Sequence, residues 1–213
     1  MKASNNSVRR RPAGFTLIEM IGLLTIIAVL AAMLLPRIFG AIDESRVSST
    51  ASNLATLRSA TITYFGRYGY FGTAGGTPLN PALHTNEMAR WDRQVLLPEG
   101  LLEVAFGSHL GTSAALQVAA SVSSGTAANA TNSAYNIDGN STTTVANEAG
   151  SGYVIQAVMQ NVALNDARAL NRILDGDDVS LGEGATPGVD LAGRVKYDAS
   201  AGAGTLMVYL AHK

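Results

Sequence analysis

From Phe15 to Pro36 the chain runs FTLIEMIGLLTIIAVLAAMLLP, 22 residues with a single charge, Glu19, and 17 uncharged residues after it. As a helix rising about 1.5 Å per residue this run spans about 33 Å, enough to cross roughly 30 Å of hydrocarbon. Beyond Arg37 the pattern changes from continuous to periodic. Ile38, Ile42, Val47, Ala51, Leu54, Leu57, Ile62 and Phe65 recur mostly at steps of three to five, with Asp43, Glu44, Arg46, Asn53 and Arg58 between them. That spacing predicts an amphipathic helix with one buried stripe, continuous with the apolar run. The whole helix, Phe15 to Phe65, would be about 75 Å long. Gly66 and Gly69 are expected to stop it, because glycine favours the left-handed cap and weakens helix interiors. Pro36 removes one backbone hydrogen bond, so a kink or local melting is expected there.

The remainder has shorter periods. Tyr64 to Tyr70, YFGRYGY, concentrates aromatic residues at the end of the long helix and reads as a packing corner. Glu87 to Leu97 predicts a short helix ended by Pro98 and Gly100, with Trp91 as its anchor and Trp91 and Leu97 offered to the core. Residues 107–152 are dominated by Gly, Ala, Ser, Thr and Asn, which predicts a surface of loops and edge strand, with hydroxyls that could carry sugars. Tyr153 to Val162 predicts a strand, Asn165 to Leu174 a helix with an Asn or Asp cap and Gly176 after it. Arg194 to Tyr197 and Thr205 to Leu210 predict two more strands joined by the small residues SAGAG. The fold class expected is therefore α+β: a long N-terminal helix, transmembrane in its first half and amphipathic in its second, packed on a C-terminal antiparallel-sheet head. The segments are 1–14, a basic leader; 15–37, the membrane-spanning half; 38–66, the amphipathic half; and 67–213, the head. Strand order does not follow from the pattern.

Charge sharpens this division. Lys and Arg total 15 and Asp and Glu 16, but Lys2, Arg9, Arg10 and Arg11 lie in the first 14 positions, where there is no acid. The rest carries 11 basic against 16 acidic residues, a balance unsuited to a nucleic-acid partner. Basic residues before the apolar run and Asp43-Glu44 beyond it place the N-terminus in the cytoplasm. A secretory signal peptide is cut after its apolar stretch, next to small residues. Here the stretch ends in Leu34-Leu35-Pro36-Arg37, and the small residues Ala13 and Gly14 stand before it. The apolar segment is thus expected to stay with the mature protein. The chain has no cysteine, so neither disulfides nor thiolate chemistry are available to it.

Gly14-Phe15-Thr16-Leu17-Ile18-Glu19, preceded by a basic leader and followed by an apolar run with Pro36 in it, resembles the prepilin cleavage and methylation motif of type IV pilins and type II secretion pseudopilins. The likeness covers residues 9–66. It implies cleavage between Gly14 and Phe15 by a prepilin peptidase and methylation of the new Phe15 amine. It also implies assembly through the helix, involving Glu19 and Pro36, into a homo- or heteromeric filament on an inner-membrane platform. The protein would then be a single-pass protein of the bacterial inner membrane, its head periplasmic or, after assembly, extracellular. Glu19 would pair with the Phe15 amine, four residues away on the same helix face, of its own or by resemblance a neighbouring chain. Lacking the cysteines with which pilus subunits commonly close a C-terminal loop, the chain fits a pseudopilin better than a pilus pilin, although its head is large for a major pseudopilin.

No enzymatic chemistry is expected. His84, His109 and His212 are scattered, and there is no HExxH pair, GxSxG elbow or P-loop. One acidic cluster, Asp175, Asp177 and Asp178, with Glu183 and Asp190 in the Gly-rich stretch after it, could offer oxygen ligands to calcium. Major pseudopilins carry a calcium site near their C-terminal sheet, but DGDD is not an EF-hand loop. A different class of protein, a membrane-tethered receptor or hydrolase acting as a monomer, would need a convergent polar pocket and give Glu19 no role.

Overall fold

The computed structural model describes residues 14–121, 128–137, 152–176 and 187–213. The chain divides into two compact units, residues 1–42 and 43–213. Helix α1, Leu17–Tyr68, contributes to both.

In the first unit the helix is unbroken through Pro36. The local melting expected at Pro36 is absent, because a proline deletes only its own N–H bond and the neighbouring rungs of the ladder hold the helix. Gly66 likewise lies inside α1. The helix ends at Tyr68, and Gly69, with φ 77°, takes the left-handed position that a glycine occupies without steric cost.

In the second unit α1 buries Val47, Thr50, Leu54, Leu57, Ala60, Thr61 and Tyr64. This stripe differs from the one the apolar residues predict. Ile62 is 56% exposed, while Thr50 and Thr61 are inside because each hydroxyl donates to the carbonyl four residues back, Arg46 and Leu57, at 2.9 and 2.8 Å. A buried threonine satisfied in this way packs as a small apolar residue.

Five strands form one antiparallel sheet in the order β1-β2-β5-β4-β3: β1 Ser113–Ala120, β2 Tyr153–Ala163, β3 Val189–Asp190, β4 Val195–Asp198 and β5 Ala203–His212. The two longest strands pair at the centre, Val158 opposite Met207. The register shifts between Met159 and Val162, where Asn161 adopts a positive φ of 58°, a conformation asparagine tolerates better than most residues. Helices α2, Thr85–Ala89, and α3, Leu164–Asp175, complete the regular elements with a π-helical turn at Asp92–Leu96. The predicted helix over 87–97 is thus two pieces, and it is Leu96, not the 37%-exposed Leu97, that enters the core. The predicted Asn or Asp cap of α3 is also absent: its N-cap is Ala163, without a side-chain bond.

One sheet face, including Leu116, Ile155, Ala157, Val195, Tyr197, Leu206 and Val208, shares a hydrophobic core with the α1 stripe and Trp91. The alternate residues Gln156 and Lys196 are also buried. They bond to residues 132–135: Tyr135 donates to Gln156 Oε1 at 2.8 Å, and Lys196 Nζ donates to the carbonyls of Asn132 and Ala134. So residues 133–136, expected on a polar surface, are buried. The edge-strand expectation for 107–152 holds at β1, which ends the sheet.

Trp91 anchors the corner after α1. Its ring meets Tyr64 at 5.0 Å and Phe71 at 5.9 Å, and its Nε1 donates to Gly72 O at 2.8 Å. Glu99 accepts from Arg67, from the Tyr68 hydroxyl and from Gly75 N, and these bonds, led by that of Gly75, hold its carboxyl below the usual range.

Candidate functional site

The candidate site lies at the start of α1. Gly14 is exposed, and a Cβ added to it would meet no heavy atom within 4 Å. Phe15 is 81% exposed. Both residues of the expected Gly14–Phe15 cleavage site are thus exposed among the described residues.

Thr16 and Glu19 then close the helix end. The Glu19 carboxylate accepts from Thr16 N and from Thr16 Oγ1, both at 2.8 Å, while Glu19 N approaches Thr16 Oγ1 at 3.3 Å. This is a capping box: Thr-x-x-Glu satisfies reciprocally the backbone donors that a helix leaves unpaired at its start. Its signal in the sequence is the three-residue spacing of Thr16 and Glu19 just ahead of the apolar run, a pattern that the charge of Glu19, set among apolar neighbours, overshadows. The carboxylate thus stands at the N-terminal end of the macrodipole, four residues from Phe15, where negative charge is favoured.

Every residue from Gly14 to Glu44 is exposed. Among them are Leu23, Leu24, Ile26, Ile27, Val29 and Leu30. Within the described residues α1 is the one helix long and apolar enough to cross a membrane, and none of its most apolar window is buried. So large an apolar surface is incompatible with exposure to water and demands lipid or other chains around it.

The acidic cluster near the C-terminus is not assembled as a metal site within the described residues. Asp175 accepts from Arg194 N at 2.9 Å, Arg194 Nε at 3.1 Å and Val195 N at 2.8 Å, so both its oxygens tie the end of α3 to β4. Asp190 accepts from Asn171 Nδ2 at 2.7 Å and from Ala192 N at 3.0 Å. Asp177, Asp178 and Glu183 lie outside the described residues. Among the described residues no three His, Asp or Glu side chains gather to hold a metal. The histidines stay apart: His84 Nδ1 accepts from Asn80 N, and His212 contacts Tyr209. Among the described residues three clefts of the head, of about 300, 180 and 170 Å³, are lined mainly by apolar side chains.

An exposed glycine–phenylalanine junction, a capped helix end carrying one carboxylate and a long exposed apolar helix ahead of an α+β head are consistent with membrane anchoring. The comparisons give the class a more particular form. Residues 9–35 match the family model described as the prokaryotic N-terminal methylation motif, which is the prepilin motif of type IV pilins and pseudopilins. No curated protein and no solved structure matches the chain. The motif marks a type IV pilin-like precursor and implies processing by a prepilin peptidase, filament assembly and a structural role.

Proposed function

We propose that the chain is a pseudopilin of a type II secretion system. Cleaved between Gly14 and Phe15 and methylated at Phe15, it is built through α1 into a short filament on an inner-membrane platform. Its N-terminus begins in the cytoplasm and its head lies in the periplasm. The observation that carries the filament reading is the methylation motif heading an apolar half-helix that is exposed at every residue from Gly14 to Glu44. A neighbouring helix offers such a surface the same apolar packing that lipid does, which lets a subunit leave the bilayer for a filament core at small cost. The choice of secretion over pili rests on the absence of cysteine.

Mass spectrometry of the membrane-extracted protein should give an N-terminus at methylated Phe15. A chain cut beyond Ala32 overturns the filament reading, and so does an uncut chain beginning at Met1. Deleting the coding sequence should then abolish secretion of folded exoproteins and leave surface pili in place. Loss of pili with secretion intact assigns the subunit to a type IV pilus, the reading that the large head favours.

A further inference from the structure

Among the described residues the head carries an unpaired acid beside an exposed apolar residue on one side of α1, and an unpaired base at the mouth of an apolar pocket on the other. Glu103 and Val104 form the first feature. Val104, 78% exposed, is among the most exposed large apolar residues of the second unit, and Glu103 beside it is exposed, with no ion pair or hydrogen bond among the described residues. Together with Asn53 and Thr56 of α1, Val104 borders the cleft of about 300 Å³. The second feature is the pocket of about 180 Å³ whose apolar lining includes Leu54, Leu174, Val208 and Leu210. Arg58 and Arg194 also line it. Arg194 is already held by Asp175 at 3.1 Å, whereas Arg58 is exposed and makes no ion pair among the described residues. The pocket's two guanidinium groups and one neighbouring carboxylate leave it with net positive charge.

Position on α1 decides what these features can reach. At about 100° per residue, Asn53 and Thr56 lie on one flank of the buried Leu54–Leu57 stripe and Ala55 and Arg58 on the other, the two groups pointing about 160° apart. One molecule cannot bring its own Val104 into its own pocket. A second copy can, because knob and pocket are carried by opposite flanks of the same element.

We propose that the occupant of this pocket is Val104 of a neighbouring copy, with Glu103 of that copy paired to Arg58. The inference rests on the filament reading and names one of its head-to-head contacts. The apolar side chain loses water in a pocket large enough for it, and each unpaired charge gains a partner of opposite sign at the rim. The contact is heterologous: one patch meets a different patch, so each added copy leaves a free knob at one end and a free pocket at the other. Such contacts propagate into an open helical assembly when the rotation does not close into a ring. One valine and one ion pair make a small interface, so this contact sets the angular placement of heads that the N-terminal helices already hold together.

Because the native chain has no cysteine, a full-length double variant, V104C with A55C, tests the contact cleanly. Oxidation of assembled filaments should yield a ladder of disulfide-linked dimers and higher multimers, with neither single variant giving more than dimers. In parallel, E103R and R58E should each lower filament yield several-fold, and E103R/R58E together should restore it. All four positions are exposed, and circular dichroism melting of each variant confirms that the head stays folded. Wild-type filaments without ladder or charge-swap rescue overturn this contact and leave the filament reading standing. Cross-linking of the single A55C variant to a different protein also overturns it. Failure of the wild-type chain to enter any filament removes both.

Discussion

Glu19 has two claims on its carboxylate. In the described chain it closes the capping box with Thr16, and in a filament we assign it the Phe15 amine. A charge at the centre of a membrane helix costs roughly 2.5 to 3.5 kcal/mol by insertion scales, less near the interface, and the capping box, together with the pairing proposed for the filament, would offset that cost. They separate by substitution. Glu19→Gln keeps a capping-box acceptor and loses the charge, whereas Glu19→Ala loses both. If charge pairing sets register, each variant should be cleaved and inserted normally yet give few or no filaments by electron microscopy. Wild-type filament yield from Glu19→Gln would assign the residue to capping alone. Lys196 poses the opposite problem, a cation inside the head. Its Nζ donates to the carbonyls of Asn132 and Ala134 and to Asn132 Oδ1 and stands 4.2 Å from the centre of the Tyr135 ring. Burial pushes its pKa from 10.5 down to about 7. Between those values the unfolded chain binds the proton that the folded chain has released, so stability rises with pH across that window, by at most about 1.4 kcal/mol per unit. Urea unfolding at pH 7 and 9 should show this gain in the wild-type head and lose it in Lys196→Met.

At the scale of elements, Asp92 explains how a strand at the sheet's edge stays quiet. Its buried carboxylate accepts from Leu116 N on β1 at 3.2 Å and from Phe106 N at 2.9 Å. A bonded edge N–H is unavailable to a foreign strand, so the π-helical turn protects β1 as well as packing Leu96 and Val95. Asp92→Ala leaves two donors unpaired, and at about 1 to 3 kcal/mol for each buried orphan the melting midpoint should fall by several degrees. An unchanged midpoint would mean water replaces the carboxylate. Period and turn chemistry make α1, β2, α3, β4 and β5 legible along the chain, because each is long enough to show its repeat. The pieces around Trp91 are not legible as two: an 11-residue stretch cannot reveal that its backbone changes hydrogen-bonding pattern at Arg90. The buried face of α1 is misjudged at Ile62 and Thr61 when apolar residues alone are counted, since a threonine can satisfy its hydroxyl on its own helix and go inside.

For the whole molecule, the division at Ile42 and Asp43 separates a helix that depends on lipid or neighbours from a head with its own core. A truncated chain beginning at Ile38 should be soluble and unfold cooperatively in urea. Aggregation, or a broad non-cooperative transition, would show that the apolar half is needed for folding. Calcium is tested on the same soluble head. If the stretch from Asp175 to Asp190 binds it, millimolar calcium should raise the melting temperature in proportion to occupancy, and Asp177→Asn with Asp178→Asn should remove the shift. An unchanged melting temperature would return these acids to the solvated surface.

The sequence by itself determined the anchor and the candidate site, because both are local. A helix N-terminus, a run of apolar residues and a junction of small residues before Phe15 are each contained within a few turns of chain, where spacing and residue type carry the physics. Only the tertiary structure decided the strand order β1-β2-β5-β4-β3, the burial of Tyr135 and Lys196, and the seating of Asp175 on Arg194. Those depend on which distant segments meet, as when Asn132 reaches Lys196 across 64 positions. Propensity along one stretch cannot encode a partner on another. Composition misled for the same reason: a segment rich in Ala, Ser and Asn has the character of surface until a lysine, a glutamine and a tyrosine supply the hydrogen bonds that make its burial stable.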